Sequence, residues 1–197
     1  RQKDYSEHIL HAFTKNAGVP VVNLDSATLH PCQSLADMIT IEEFRKQERP
    51  KVVLTWAPHP RALPQSVGNS FAQWARRMDY EFVIANPEGY DLAPEFRGEA
   101  RVIPDPEEAY EGADFIYAKN WSSYDQYGQV LSHDRHWMVD EKKMARTNNA
   151  MFMHCLPVRR NMIVSDGVID SPQSIIIEEA NNRTFAAQAV LKSILGE

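Results

Sequence analysis

Two rhythms of apolar and polar positions run along this chain, one of short continuous apolar runs and one of helical spacing. Over residues 4–16, Ile9, Leu10 and Phe13 recur at helical spacing, and Asn16-Ala17-Gly18 stops that helix. VPVVNL (19–24) predicts a short buried strand. SLADMITIEEFRKQ (34–47) predicts a helix with Leu35, Met38, Ile39 and Ile41 inward and charges outward. KVVLTW (51–56) is a near-continuous β-branched run, as a parallel strand covered on both faces requires. A helix follows over 64–78 with Pro64 at its start, then strands over 81–86 and 100–105. A short helix over 106–113, a strand over 114–120, a helix over 140–147, a strand over 150–155 and a closing helix over 178–195 complete the pattern.

Strand and helix alternate at the interval of a βα unit. That order predicts a doubly wound, Rossmann-like α/β fold with a mainly parallel sheet. Ligands bind beyond the carboxyl ends of such strands. Four segments fall there: DSATLHPCQ (25–33), APHPRALPQ (57–65), KNWSSYDQYG (119–128) and HCLPVRRN (154–161).

Composition narrows the class of ligand. Hydrophobic residues at 43% and charged residues at 24% supply a sizeable core and exclude wholesale disorder. A net charge of −6 suits neither nucleic acid nor an anionic membrane, so any bound anion needs local arginines. Two distant cysteines, Cys32 and Cys155, make no disulfide framework and point to a reducing, cytoplasmic setting. No segment reads as a membrane span. The first residues are not a signal peptide, lack an initiator Met and open inside a helical pattern, so a fragment of a longer polypeptide is expected.

Two motifs carry candidate chemistry. In HPCQ (30–33), His30 is placed to donate to a carbonyl oxygen gaining negative charge, and Gln33 offers a donor and an acceptor to an amide. A helix-capping histidine is the alternative reading. In HCLPVRRN, Arg159 and Arg160 follow a strand end, where guanidinium groups clamp carboxylate or phosphate. A cis Leu156–Pro157 bond there is expected to present the carbonyls of Cys155 and Leu156 to an attacking amine. A solvated arginine pair is the alternative. His30, Cys32, His154 and Cys155 lack the knuckle spacing of a zinc site, and nothing in the sequence names a base that would activate Cys155 as a nucleophile.

Together, HPCQSLADMITIEE (30–43) and HCLPVRRN resemble the transcarbamylases in sequence, order and separation, from end to end of the chain. The resemblance implies two α/β domains joined by two helices, and a homotrimer with active sites between subunits. The SMG loop of ornithine transcarbamylases is missing, and KNWSSYDQYG stands in its place. With WAPHPRALPQSVGNSFAQW (56–74), this looks like the branch that carbamoylates N-acetylornithine or N-succinylornithine in arginine biosynthesis, slightly closer to the succinyl enzymes. The family's phosphate-cradling STRT-type loop is also missing. Residues 1–38 are therefore expected to be the tail of a carbamoyl phosphate domain, 39–177 an amino-acid domain, and 178–197 a helix crossing back.

By this resemblance carbamoyl phosphate and an N-acylornithine are the partners, and no metal or organic cofactor is needed, because carbamoyl phosphate is already activated. His30 donates to the carbamoyl oxygen and Gln33 holds the carbamoyl amide. The carbonyls of Cys155 and Leu156 orient the amine, and Arg159 or Arg160 neutralises a carboxylate or phosphate. Lys119 meets a substrate carboxylate, and Trp121, His154 and Pro157 complete the expected contacts. Two rivals stand beside this: a carbamoyltransferase for another amine, and a non-catalytic Rossmann-like module with an anion pocket.

Overall fold

The computed structural model describes residues 6–196. After a surface helix α1 (His8–Asn16), helix α2 (Pro31–Phe44) starts on Pro31, whose fixed φ suits a first helical turn. The α/β unit follows in order: β1 (Lys51–Trp56), α3 (Ser66–Ala75), β2 (Glu81–Ala85), α4 (Pro94–Arg97), β3 (Arg101–Ile103), α5 (Pro106–Tyr110) and β4 (Phe115–Lys119). Helix α6 (Glu141–Met144), β5 (Met151–Met153), α7 (Asp166–Ile169) and the long α8 (Ile176–Leu195) complete it. The short helices are set by side-chain caps. Asp105 accepts from Glu107 N, Asp140 from Lys143 N and Ser165 from Val168 N, each taking up an orphan donor of a first turn.

The sheet is parallel throughout, in the order β3-β2-β1-β4-β5. β1 lies at its centre, with Val52, Val53, Leu54, Thr55 and Trp56 buried, which accounts for its unbroken apolar run. The chain winds from β1 to β2 and β3 on one side, then crosses to β4 and β5 on the other. The carboxyl ends of β1 and β4, paired at Trp56 and Lys119, therefore form the topological switch point. Residues 173–175 cover the β5 edge, since Phe152 N donates to Gln173 O and Ile175 N to Phe152 O. Helices α2 and α8 pack along each other, bound by Asn182 Nδ2 donating to Thr40 Oγ1 at 3.0 Å and to Glu43 Oε2 at 2.8 Å.

The strand expected over 19–24 does not form. That segment runs along the surface with Val19 68% and Leu24 63% exposed, and Pro20 interrupts its backbone donors. Apolar composition marks a strand only where a neighbour takes up its ladder hydrogen bonds, and both edges of the sheet lie elsewhere. Helix α2 starts three residues earlier than 34 and ends at Phe44, while α3 begins two residues after Pro64. The expected domain boundary at residues 38 and 39 falls inside α2, which runs unbroken through it. Among the described residues no helix is long and apolar enough to cross a membrane.

Candidate active site

The loops leaving β1 and β4 are tied to one another before either reaches solvent. Ala57 N donates to Lys119 O, Asn120 Nδ2 to Ala57 O at 2.8 Å, and Trp56 Nε1 to Trp121 O at 3.0 Å. This clasp fixes Lys119 at the rim and His59 and Arg61 above it. Trp121 belongs to the clasp and not to a binding surface. Its ring is 0% exposed, its Nε1–H donates to Tyr90 O at 2.7 Å, and Gly68 of α3 packs on its face, where a Cβ would lie 3.4 Å away. The sequence places Trp121 among the substrate contacts; the structure buries it beneath the loops that leave β1 and β4.

HCLPVRRN leaves β5 beside this clasp. The Leu156–Pro157 bond is cis, and Leu156 takes a left-handed φ of 50°. His154 is buried. Its backbone N–H donates to Glu179 Oε2 at 2.8 Å, and its Nδ1 accepts from Leu156 N at 3.0 Å. The ring proton therefore sits on Nε2, a buried atom with no partner among the described residues. Burial drives this ring down to about pH 3, and the charges of Lys119 and His59 push the same way, so it is neutral. Burial also pushes the Cys155 thiol up, only partly offset by Lys119. A thiol held protonated is a poor nucleophile, which leaves Cys155 its backbone carbonyl as its chemical asset. Leu156 is half-buried and Pro157 exposed.

The two arginines diverge. Arg159 Nε donates to His59 Nε2 at 3.1 Å, which puts the His59 proton on Nδ1, facing Arg61 O at 2.8 Å. Burial lowers the His59 pKa, Arg61 O raises it, and Arg159, Lys119 and Arg61 lower it further. The ring stays an uncharged acceptor inside a cluster of three cations. Arg160 instead forks onto Asp170 through bonds of 2.6 and 2.7 Å and reaches Asp166 at 2.9 Å. Its expected role at a substrate anion is not what this geometry offers, because two carboxylates already occupy its donors.

HPCQ closes the site from the other side. His30 heads α2 but makes no side-chain capping bond, which removes the capping reading. Its backbone N–H donates to Ser70 Oγ at 2.7 Å, and its buried Nδ1 is unpartnered among the described residues. Burial lowers its pKa; Asp25 opposes this, while Arg183 and Lys119 reinforce it. The charge of Lys119 pushes the His30, His59 and His154 rings and the Cys155 thiol down. His30, Cys32 and Gln33 line a cavity of about 410 Å³ with Arg183, Thr184 and Gln188 of α8.

Sequence reasoning missed Arg183, His59, Asp37 and Glu179. The run Asn181-Asn182-Arg183 in the closing helix is the sequence signal that could have found Arg183. Asp37 and Glu179 are 0% exposed behind Gln33, whose Nε2 lies 2.8 Å from Asp37 Oδ1 and 3.4 Å from Glu179 Oε1. Burial raises both carboxyls, Asp37 to about 7; the Asp37 charge pushes Glu179 further up, while Gln33 and Glu179 pull Asp37 partly back down.

Known proteins match this arrangement. A family model described as the aspartate/ornithine carbamoyltransferase Asp/Orn binding domain matches residues 64–194, and one described as the carbamoyl-P binding domain matches residues 1–43. The N-succinylornithine carbamoyltransferase of Bacteroides fragilis is 62% identical over 197 residues, covering 99% of this chain and 62% of that protein. The N-acetylornithine carbamoyltransferase of Xanthomonas campestris is 38% identical, covering 99% of this chain and 63% of that protein. A crystal structure of a variant N-acetyl-L-ornithine transcarbamylase complexed with carbamyl phosphate and N-succinyl-L-norvaline superimposes with a TM-score of 0.89 at 37% identity, covering 98% of this chain and 64% of that one. The chain thus spans a little under two thirds of the length of these relatives. With HCLPVRRN leaving the carboxyl end of β5 in a parallel sheet, and the Asp/Orn binding model matched over residues 64–194, the chain belongs to the aspartate/ornithine carbamoyltransferase family.

Proposed function

We propose that the full-length protein transfers the carbamoyl group of carbamoyl phosphate to the δ-amine of an N-acylornithine, with N-succinylornithine as the favoured acceptor. The observation that carries this reading is the joining of the two motifs through Glu179, whose Oε1 lies 3.4 Å from Gln33 Nε2 and whose Oε2 accepts from His154 N at 2.8 Å. The 62% identity to an N-succinylornithine carbamoyltransferase supports the acyl group. In this reading the N–C bond forms as the C–O bond to phosphate breaks, and the amine's proton leaves with the phosphate. His30, neutral, donates an N–H to the carbamoyl oxygen as it gains charge. Gln33, its Nε2 held by Asp37, turns Oε1 to the carbamoyl NH₂. The carbonyls of Cys155 and Leu156 hold the amine, Arg183 meets the phosphate side of the cavity, and Lys119 and Arg159 meet acceptor carboxylates. An acylated α-amine has lost its positive charge, so cations around its carboxylates face no repulsion.

Residues 1–38 are read as the end of a carbamoyl phosphate domain, 39–177 as the acceptor domain and 178–197 as the returning segment, with the packed pair α2 and α8 as the two connectors. A cytoplasmic homotrimer acting in arginine biosynthesis completes the reading.

Steady-state kinetics on the full-length protein test it. N-succinylornithine is expected to exceed free ornithine in kcat/KM by at least about tenfold. Lys119→Met is expected to lower kcat/KM for the acylornithine by about ten- to a hundredfold, the worth of one charge-assisted hydrogen bond, and to spare carbamoyl phosphate. Equal losses for both substrates would remove Lys119 from the acceptor site.

A further inference from the structure

Neither motif stands alone: both hang on the same two buried acids. Asp37 lies on α2, four residues beyond Gln33, and accepts its Nε2–H. Glu179 lies on α8 and accepts the backbone N–H of His154, the residue that opens the HCLP turn. Both carboxyls are 0% exposed, no salt bridge reaches either among the described residues, and both lie against one nitrogen, Gln33 Nε2, Asp37 Oδ1 at 2.8 Å and Glu179 Oε1 at 3.4 Å. Two adjacent ionised carboxylates buried without a cation would carry a desolvation and repulsion cost that the fold has no means to offset. The groups around them are Tyr117 of β4, Cys155 and the more distant Arg183.

We propose that Asp37 and Glu179 share a single proton and act as a positioning pair, holding Gln33 and the His154–Pro157 turn at the separation that carbamoyl transfer requires. The donor count assigns the proton. Glu179 Oε2 already accepts from His154, so its other oxygen, as O–H, donates to Asp37 Oδ2, which has no other donor, while Asp37 Oδ1 accepts from Gln33. All four oxygens of the carboxyl pair are then satisfied. One proton thereby joins a helix start and a strand end 121 residues apart in sequence.

This rests on the carbamoyl-transfer reading, so the experiment has an arm that needs no turnover. In the full-length protein, infrared spectroscopy at neutral pH is expected to show a protonated-carboxyl band that Glu179→Gln abolishes, because the glutamine amide supplies the same donor and acceptor without a titrating group. Absence of the band, or its survival in Glu179→Gln, overturns the shared proton even if the enzyme proves to have another substrate. In kinetics, Glu179→Gln is expected to retain kcat within about threefold. Glu179→Leu, of similar size but with no polar atom, is expected to lose about thirtyfold or more, the order of effect of a misplaced reacting group. Loss of the same size in both variants, or a Leu variant within threefold of the parent, overturns the positioning role. If the Leu variant does not fold, the Gln variant and the infrared band still decide.

Discussion

Replacing His30 by Ala separates chemistry from folding cleanly, because the structure gives the side chain nothing to do for the fold. Its ring makes no capping bond, the backbone N–H that meets Ser70 survives in alanine, and Pro31 still starts α2. What is lost is the half-buried ring's contact area, about 1 kcal/mol or less, or roughly 2–4 °C in Tm for a domain of this size. The chemical loss is larger. A preorganised donor aimed at a developing oxyanion is worth about 3–4 kcal/mol, so kcat is expected to fall by about 10²–10³. The ring's lowered pKa means that the donor is a neutral imidazole at pH 7, which an amide can partly replace. His30→Asn is therefore expected to recover part of the loss. The assay is steady-state formation of N-succinylcitrulline, the product of the proposed reaction, by the full-length protein, paired with thermal unfolding of the same preparations. A kcat within threefold of the parent would refute the donor role. So would a Tm loss above about 10 °C, which would make the activity loss one of folding.

The two adjacent arginines are expected to part company: Arg159→Ala lowers kcat/KM for the acylornithine by about tenfold or more, whereas Arg160→Ala, whose fork is spent on Asp166 and Asp170, stays within about threefold. Equal losses in the same kinetic comparison would reverse that assignment. Trp121→Phe removes the donor to Tyr90 O from the core and is expected to cost about 1–3 kcal/mol in denaturant unfolding with KM values unchanged. A KM that moves without stability would return Trp121 to the binding surface. His154 is held neutral down to about pH 3 in the fold but titrates near 6.5 when unfolded, so the unfolded state binds the extra proton first. Its contribution is complete above pH 6.5 and lost as pH falls toward 3, about 3 kcal/mol by pH 4. Burial raises Asp37 and Glu179, which pull the other way over the same range, so the readout is the difference in slope between the parent and His154→Gln in urea unfolding from pH 7 to 4. Identical slopes would mean that the imidazole is not excluded from water.

Much of the architecture was legible in the sequence. KVVLTW, EFVIA and FIYAK are strands because a parallel strand buried on both faces must be apolar at nearly every position, and that leaves a continuous run. HPCQ and HCLPVRRN announced themselves because donors and cations clustered beside a proline are few enough to notice. VPVVNL carried the same apolar signal and is no strand, since pairing is a property of the neighbour and not of the segment. Arg159 and Arg160 are equivalent in sequence. Only the turn brings Asp166 and Asp170 back onto one of them and His59, 100 residues away, onto the other. Trp121 reads as a loop aromatic until α3 and Tyr90 close over it. Asp37 and Glu179 look like ordinary charged positions on helix faces. Local patterns record what each residue needs from water or from its own turn, and so they determine the elements. Which buried carboxyl meets which is decided only when residues 142 positions apart on two helices are pressed together, where excluding water raises the pKa of both.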